Sequence, residues 1–203
     1  MYGYSFNFNH GVLSSGGGAT NPLWNGLQAY YTADNTPNDA LGNYNGTLVN
    51  GATYGTGIIN NGFSFDGVND YVDLPNGTFN PSGDFSISMW VKQDTQGNYF
   101  LFNVGGLTTN GISVYALTSG IRFLMSDNTN YQLAVGNSSL TNGVLAHFVC
   151  VKDSLGTNKL KIYKDGVLIA NSTLTFDQVI VDDSCRIGLG NGGTWPFNGT
   201  IDE

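Results

Sequence analysis

An all-β sandwich is the fold that this chain predicts, and three observations carry it. No segment sustains a helical period. Short runs of alternating apolar and polar residues recur along the chain. Nine Asn-Gly pairs, at Asn25, Asn45, Asn50, Asn61, Asn76, Asn110, Asn142, Asn191 and Asn198, punctuate them. Asn and Gly tolerate positive φ, so each pair is a turn signal. The 203 residues suit one domain with a sizeable core, and 13% aromatic content excludes a disordered chain. More than ten short strands at this spacing predict a two-sheet antiparallel sandwich or a barrel.

The elements follow in order. Residues 1–22 differ from the rest: Tyr, Phe and Asn alternate, then Ser14-Ser-Gly-Gly-Gly18 leads to Asn21-Pro22. This reads as an extended N-terminal arm and a Gly-rich linker, with little to bury against itself. Residues 23–203 form the sandwich. Its predicted strands are Leu27–Tyr31, Phe63–Phe65, Tyr71–Leu74, Phe85–Lys92, Tyr99–Val104, Ile112–Leu117, Ile121–Met125, Tyr131–Val135, Ala146–Lys152, Lys159–Tyr163, Val167–Ala170, Arg186–Leu189 and Phe197–Ile201. In Gly62–Leu74 two alternating runs flank Asp66-Gly67, which predicts a hairpin with Phe63, Phe65, Tyr71, Val72 and Leu74 in the core. Phe85, Ile87, Met89 and Val91 share one strand face, and Trp90 on the other reads as core.

Charge narrows the function. The net charge is −8, with seven Lys and Arg in all. Lys159, Lys161 and Lys164 form one loose cluster, read as a solvated face. Nucleic acid needs a basic stripe and anionic membranes a basic patch, so neither is an expected partner. No apolar run is long enough for a membrane helix, and Met1–His10 lacks the basic and apolar regions of a secretory signal. Cys150 and Cys185 read as buried free thiols, with a disulfide as the alternative if their strands are neighbours of matched geometry. Five Asn-x-Ser/Thr sequons, at Asn45, Asn76, Asn137, Asn171 and Asn198, read as turns.

Several motifs carry a resemblance. Gly26-Leu-Gln-Ala-Tyr-Tyr31, Asn38-Asp-Ala-Leu-Gly42 with Gly46–Tyr54, Ser64-Phe-Asp-Gly-Val-Asn-Asp-Tyr-Val-Asp-Leu74, Phe85–Val91, Leu145–Val151, Lys159–Ile169 and Pro196–Glu203 occur in this order. Together they resemble the laminin-G-like domains of the concanavalin A-like lectin/glucanase family. Leu145 stands where that family usually has Trp. Family members normally continue past the closing Ile-Asp-Glu with a strand that pairs near the first strand. Here the sequence stops at Glu203: either it is cut there or a strand edge stays open, and the arm, its own or a neighbour's, is a candidate to cover such an edge.

The resemblance implies recognition outside the cell, mostly of glycans. It also implies a structural calcium tying the first turn to the last strand, held by Asp39, the Gly42 carbonyl and Asp202. The alternative for these residues is an Asx-turn at Asp39 and a solvated Asp202. Trp195, in Asn191-Gly-Gly-Thr-Trp-Pro196, is the best sugar platform, with packing over a sandwich edge as the alternative. Tyr99 and Tyr131, the latter beside Asn128 and Asn130, are weaker platforms.

Catalysis is not expected. Retaining glycosidases need two flanking carboxyl groups, and this chain has a single Glu, its last residue. Asp70 and Asp73 fall on opposite strand faces, as do Asp182 and Asp183. The two histidines are His10, in the arm, and His147, read as a satisfied strand histidine. The expected setting is therefore a virion surface. A non-catalytic phage structural or decoration protein would dock residues 1–22 on other virion proteins or its own subunits, as a homo-oligomer, and offer its sandwich to glycan. A secreted bacterial carbohydrate-binding module is the alternative.

Overall fold

The computed structural model describes residues 26–79, 83–106, 110–153, 155, 157, 159–176 and 184–203. Among them fourteen strands form two seven-stranded antiparallel sheets. They are β1 (Thr47–Val49), β2 (Thr53–Thr56), β3 (Asn61–Asp66), β4 (Tyr71–Leu74), β5 (Phe85–Gln93), β6 (Tyr99–Gly105) and β7 (Gly111–Leu117). The rest are β8 (Gly120–Ser126), β9 (Tyr131–Gly136), β10 (Ala146–Lys152), β11 (Leu160–Lys164), β12 (Val167–Ser172), β13 (Cys185–Ile187) and β14 (Asn198–Asp202). The first sheet runs β1-β4-β13-β6-β7-β8-β9 and the second β12-β11-β10-β5-β14-β3-β2. The arm, His10, Asp182 and Asp183 lie outside the described residues.

The fold confirms the sandwich and corrects its parts. Asp66-Gly67 closes no hairpin, because β3 belongs to the second sheet and β4 to the first. The turn is a crossing between layers, and local turn chemistry does not distinguish the two. Residues 27–31 pair with no strand among the described residues. Instead the Tyr30 N–H donates to the Asp39 carboxylate and its carbonyl accepts from Ala40 N. Two Asn-Gly pairs lie inside strands, at Asn61 and Asn198. Gly199 holds φ +145°, and a Cβ there would come within 2.1 Å of the Lys92 carbonyl.

The core lies between the sheets. Phe63, Phe65, Val72, Leu74, Met89, Val91, Phe123, Phe148, Ile162 and Phe197 are buried there. Its rings meet edge to face, as at Phe79–Phe102 (5.2 Å) and Tyr99–Phe197 (5.4 Å), the arrangement that ring quadrupoles favour. Cys150 and Cys185 are buried in different sheets and are not joined in a disulfide. Trp90 corrects another expectation. It is half-buried on the outer face of the second sheet, with the His147 ring 4.9 Å away. The lysine cluster is less solvated than expected: Lys161 pairs with Asp153, and the Lys164 ammonium lies over Phe148. Tyr71 also faces outward, under the Arg186 guanidinium. Substituting Gly199 by Ala forces a left-handed φ and a backbone clash, so urea titration should show a loss of about 2 kcal/mol or more.

Candidate functional site

The outer face of the first sheet carries an aromatic strip. A bulge between Phe100 and Phe102 turns Phe100 outward while Tyr99, Leu101 and Phe102 join the core. Phe100 pairs with Tyr115, and both cluster with Leu124, Leu117 and Leu133. On this patch lies Trp195. Its ring stacks on Phe100 at 5.5 Å and 27° and meets Tyr115 at 6.0 Å.

The loop that carries Trp195 lies against the sheet. A short 3-10 turn, Asn191–Gly193, precedes it, and Gly190 N donates to the Thr194 carbonyl. A Cβ at Gly190 would strike the Phe100 ring at 2.4 Å, so glycine lets the loop lie flat on the sheet. Trp195 takes φ +49°, and its carbonyl accepts from Phe100 N at 2.9 Å. It nevertheless remains 40% exposed. A large ring held rigidly yet exposed loses little entropy when a flat apolar partner arrives.

Tyr131, on β9, shares this outer face and is 63% exposed. Burial pushes the Tyr115 phenol above its ordinary range; the Arg122 charge opposes that shift and Tyr131 adds to it. Arg122 is itself committed, donating to the carbonyls of Ile121 and Gly136 and to Ser119 Oγ. Asn128 is exposed in the turn before Tyr131, which Asp127 closes by accepting from Thr129 N and Asn130 N. The structure thus places Trp195 and Tyr131 on one face, with Asn128 at its margin. Tyr99 does not join them. It is 8% exposed, its ring faces the core, and its hydroxyl bonds Thr95.

The carboxylates expected to hold calcium take part in hydrogen bonds of the fold. Both Asp39 oxygens are filled: Oδ1 accepts from Tyr30 N and Leu41 N, Oδ2 from Asn43 N and Tyr44 N. Gly42 N donates to the Asp39 carbonyl within that turn. Asp202 is buried, with Oδ2 accepting from Ile58 N and Ile59 N and Oδ1 unpartnered. Burial pushes its carboxyl up to about 6, against hydrogen bonds that lower it. No group of three or more His, Cys, Asp or Glu suited to a metal occurs among the described residues.

Two further arrangements escaped the sequence reading. His147 Nε2 lies 2.8 Å from Ser88 Oγ, and burial holds its imidazolium below the usual range. Asp66 and Asp70 approach each other across the crossing turn. Asp70 is 2% exposed, its Oδ2 accepts from Asp66 N, and burial raises its carboxyl. Only register shows the first pair, and only the layer crossing shows the second.

The fold and this face define a β-sandwich whose first sheet carries the exposed rings of Trp195 and Tyr131 on its outer side. Residues 66–203 match the model of the concanavalin A-like lectin/glucanases superfamily, and the chain belongs to it. No curated protein matches in sequence. Among solved structures, the chain is similar to domain 4 of AbnA, an extracellular GH43 arabinanase from Geobacillus stearothermophilus, in complex with arabinotriose. The TM-score is 0.69 and the identity 18%, over 86% of this chain and 88% of that one. It is similar to domains LG4-5 of the mouse laminin α1 chain (TM-score 0.58, 14% identity, 70% of this chain and 39% of that one). It also resembles the CBM40 of the Ruminococcus gnavus IT-sialidase bound to α2,3-sialyllactose (TM-score 0.51, 18% identity, 59% and 72%).

The buried Asp202 gives a pH test. Its folded pKa is raised, so the native state holds the extra proton and stability falls as pH rises from about 4 toward 6. The melting temperature of the wild type relative to Asp202→Asn should therefore rise by a few degrees as pH falls from 7 to 4, measured by calorimetry at matched ionic strength.

Proposed function

We propose that this domain is a non-catalytic carbohydrate-binding module whose site is the outer face of the first sheet. One observation carries the reading: Trp195 is 40% exposed while locked in a stack on Phe100 and Tyr115. Sugar rings present apolar C–H faces that suit such a platform, and the Tyr131 ring, the Asn128 amide and the loop amide of Asn191 supply further contacts. The relatives support this choice of ligand class, since two of them are described with bound oligosaccharides.

The expected ligand is a neutral oligosaccharide. The chain carries −8 overall, and the two arginines of this face are engaged, Arg122 by three hydrogen bonds and Arg186 by Tyr71 and Asp73. An acidic sugar would meet net repulsion without a free cation there. A non-catalytic role is supported by the burial of Asp70, which removes the Asp66–Asp70 pair from any scissile bond, and by the single Glu in the chain. An extracellular setting fits these relatives, whose names describe an extracellular arabinanase and a laminin. Display on a phage particle through residues 1–22 rests on the sequence expectation alone.

A panel of neutral and sialylated oligosaccharides, read by calorimetry, tests this. Binding should favour the neutral members. Trp195→Ala should weaken it about 10- to 100-fold and Tyr131→Ala about tenfold. Tyr99→Phe should cost about 1 kcal/mol of stability and leave affinity unchanged. Binding indifferent to Trp195→Ala would remove the site.

A further inference from the structure

Asn-Gly pairs carry chemistry as well as turn geometry. Glycine has no Cβ to shield its backbone nitrogen, so that nitrogen can attack the amide carbon of the preceding asparagine. Of the nine pairs in this chain, most of those described are held away from this reaction. Gly46 N donates to the Pro37 carbonyl, and Gly143 N to the Gln93 carbonyl. Asn61 and Asn198 lie inside strands, with their amides donating to Asn35 Oδ1 and to the Asp66 carbonyl. The Asn50 amide donates to the Asn69 carbonyl at 3.0 Å.

Asn191-Gly192 is arranged the other way. The Gly192 N–H turns back onto its own asparagine and donates to Asn191 Oδ1 at 2.8 Å. The amide carbon lies one C=O bond further on, so the nitrogen stands within about 4 Å of it. Reacting atoms poised for attack stand roughly 3–3.5 Å apart. The loop holds this arrangement in place. Gly190 N donates to the Thr194 carbonyl at 3.0 Å, and Gly193 N to the Gly190 carbonyl at 3.2 Å. Thr194 Oγ1 donates to the Asn191 carbonyl at 3.2 Å. Gly192 takes φ +74°, and residues 191–194 are all exposed to water.

We propose that Asn191 is a self-modification site, where attack of Gly192 N on Asn191 Cγ converts the Trp195 loop to an aspartyl or isoaspartyl form without an enzyme. In the first step the bond from Gly192 N to Cγ forms and the Cγ–Nδ2 bond breaks. The Gly192 proton passes to water, water protonates the leaving nitrogen, and ammonia departs. A succinimide remains, and a second water opens it. Opening at Cγ gives aspartate; opening at the backbone carbonyl carbon gives isoaspartate. Nothing is oxidised or reduced. Either product adds a carboxylate to a chain that already carries −8. The isoaspartyl form also adds a methylene to a backbone loop closed by the Gly190–Thr194 hydrogen bond. Trp195 then loses its seat on Phe100. The conversion stands without the glycan reading, whereas a loss of sugar affinity with it rests on that reading.

The test incubates the full chain in warm, mildly alkaline buffer and follows it by peptide mapping with mass detection. The Asn191 peptide should gain about 1 Da and divide into aspartyl and isoaspartyl species. It should do so about tenfold faster than the Asn142 and Asn198 peptides of the same folded chain. In urea, where the loop geometry is lost, the three rates should draw together. Asn191→Gln, which would have to close a larger ring, should convert far more slowly at this position. The isolated isoaspartyl form should show the Trp195 indole resonance shifted by NMR, with the Trp90 indole unmoved. An Asn191 peptide that converts no faster than Asn142 in the folded chain, or faster in urea than when folded, would overturn the site. A Trp195 resonance unchanged in the isoaspartyl form would overturn the release of the loop. No sugar enters these measurements, so failure of the glycan reading is seen separately, in the oligosaccharide panel.

Discussion

The sandwich depends on one crossing. At Asp66–Asp70 the chain leaves the second sheet and enters the first, so that β3 and β4 bury Phe63, Phe65, Val72 and Leu74 from opposite sides of one core. A buried carboxylate holds this crossing, with Asp70 Oδ2 accepting from Asp66 N at 3.0 Å. Its other oxygen has no partner, and a Cβ at Gly51 would stand 3.0 Å from it. Such a group costs free energy when charged, and its raised pKa is the mark of that cost. What offsets it is the registration of two layers. A crossing that slipped by one residue would turn both apolar sets to solvent.

From that registration follows the division of surfaces. The first sheet gains a second, outer apolar patch because the β6 bulge changes which side chains face out. Trp195 covers part of that patch and exposes the rest of its own ring. The second sheet has a polar outer face, where Trp90 and His147 cover one another beside Ser88. Two tryptophans thus have different work: Trp90 shields strand backbone, and Trp195 presents a surface.

Much of this was legible in the sequence, and the failures have specific causes. Alternation located β5, β7, β8 and β10 and put Met89 and Val91 on one face of β5, which is its inward face. The loop glycines marked Trp195 as a loop tryptophan. Alternation could not reveal the bulge in β6, so Tyr99 was placed on the surface and Phe100 was overlooked. Asp66-Gly67 carried a correct turn signal without the sheet assignment that makes it a crossing. At Asp39 the expected Asx-turn is present, with four backbone N–H groups donating to its oxygens. Pairings such as Trp90 with His147 depend on register between strands far apart in sequence.

The central claim is that carbohydrate meets this domain on the outer face of the first sheet. The most direct measurement is a chemical-shift map of the full chain titrated with a neutral oligosaccharide that binds it. The account predicts that the Trp195 indole, Tyr131 and Asn191 resonances move together while Trp90 and His147 stay fixed. Movement confined to Trp90, His147 and Ser88 would place the ligand on the other sheet and contradict it.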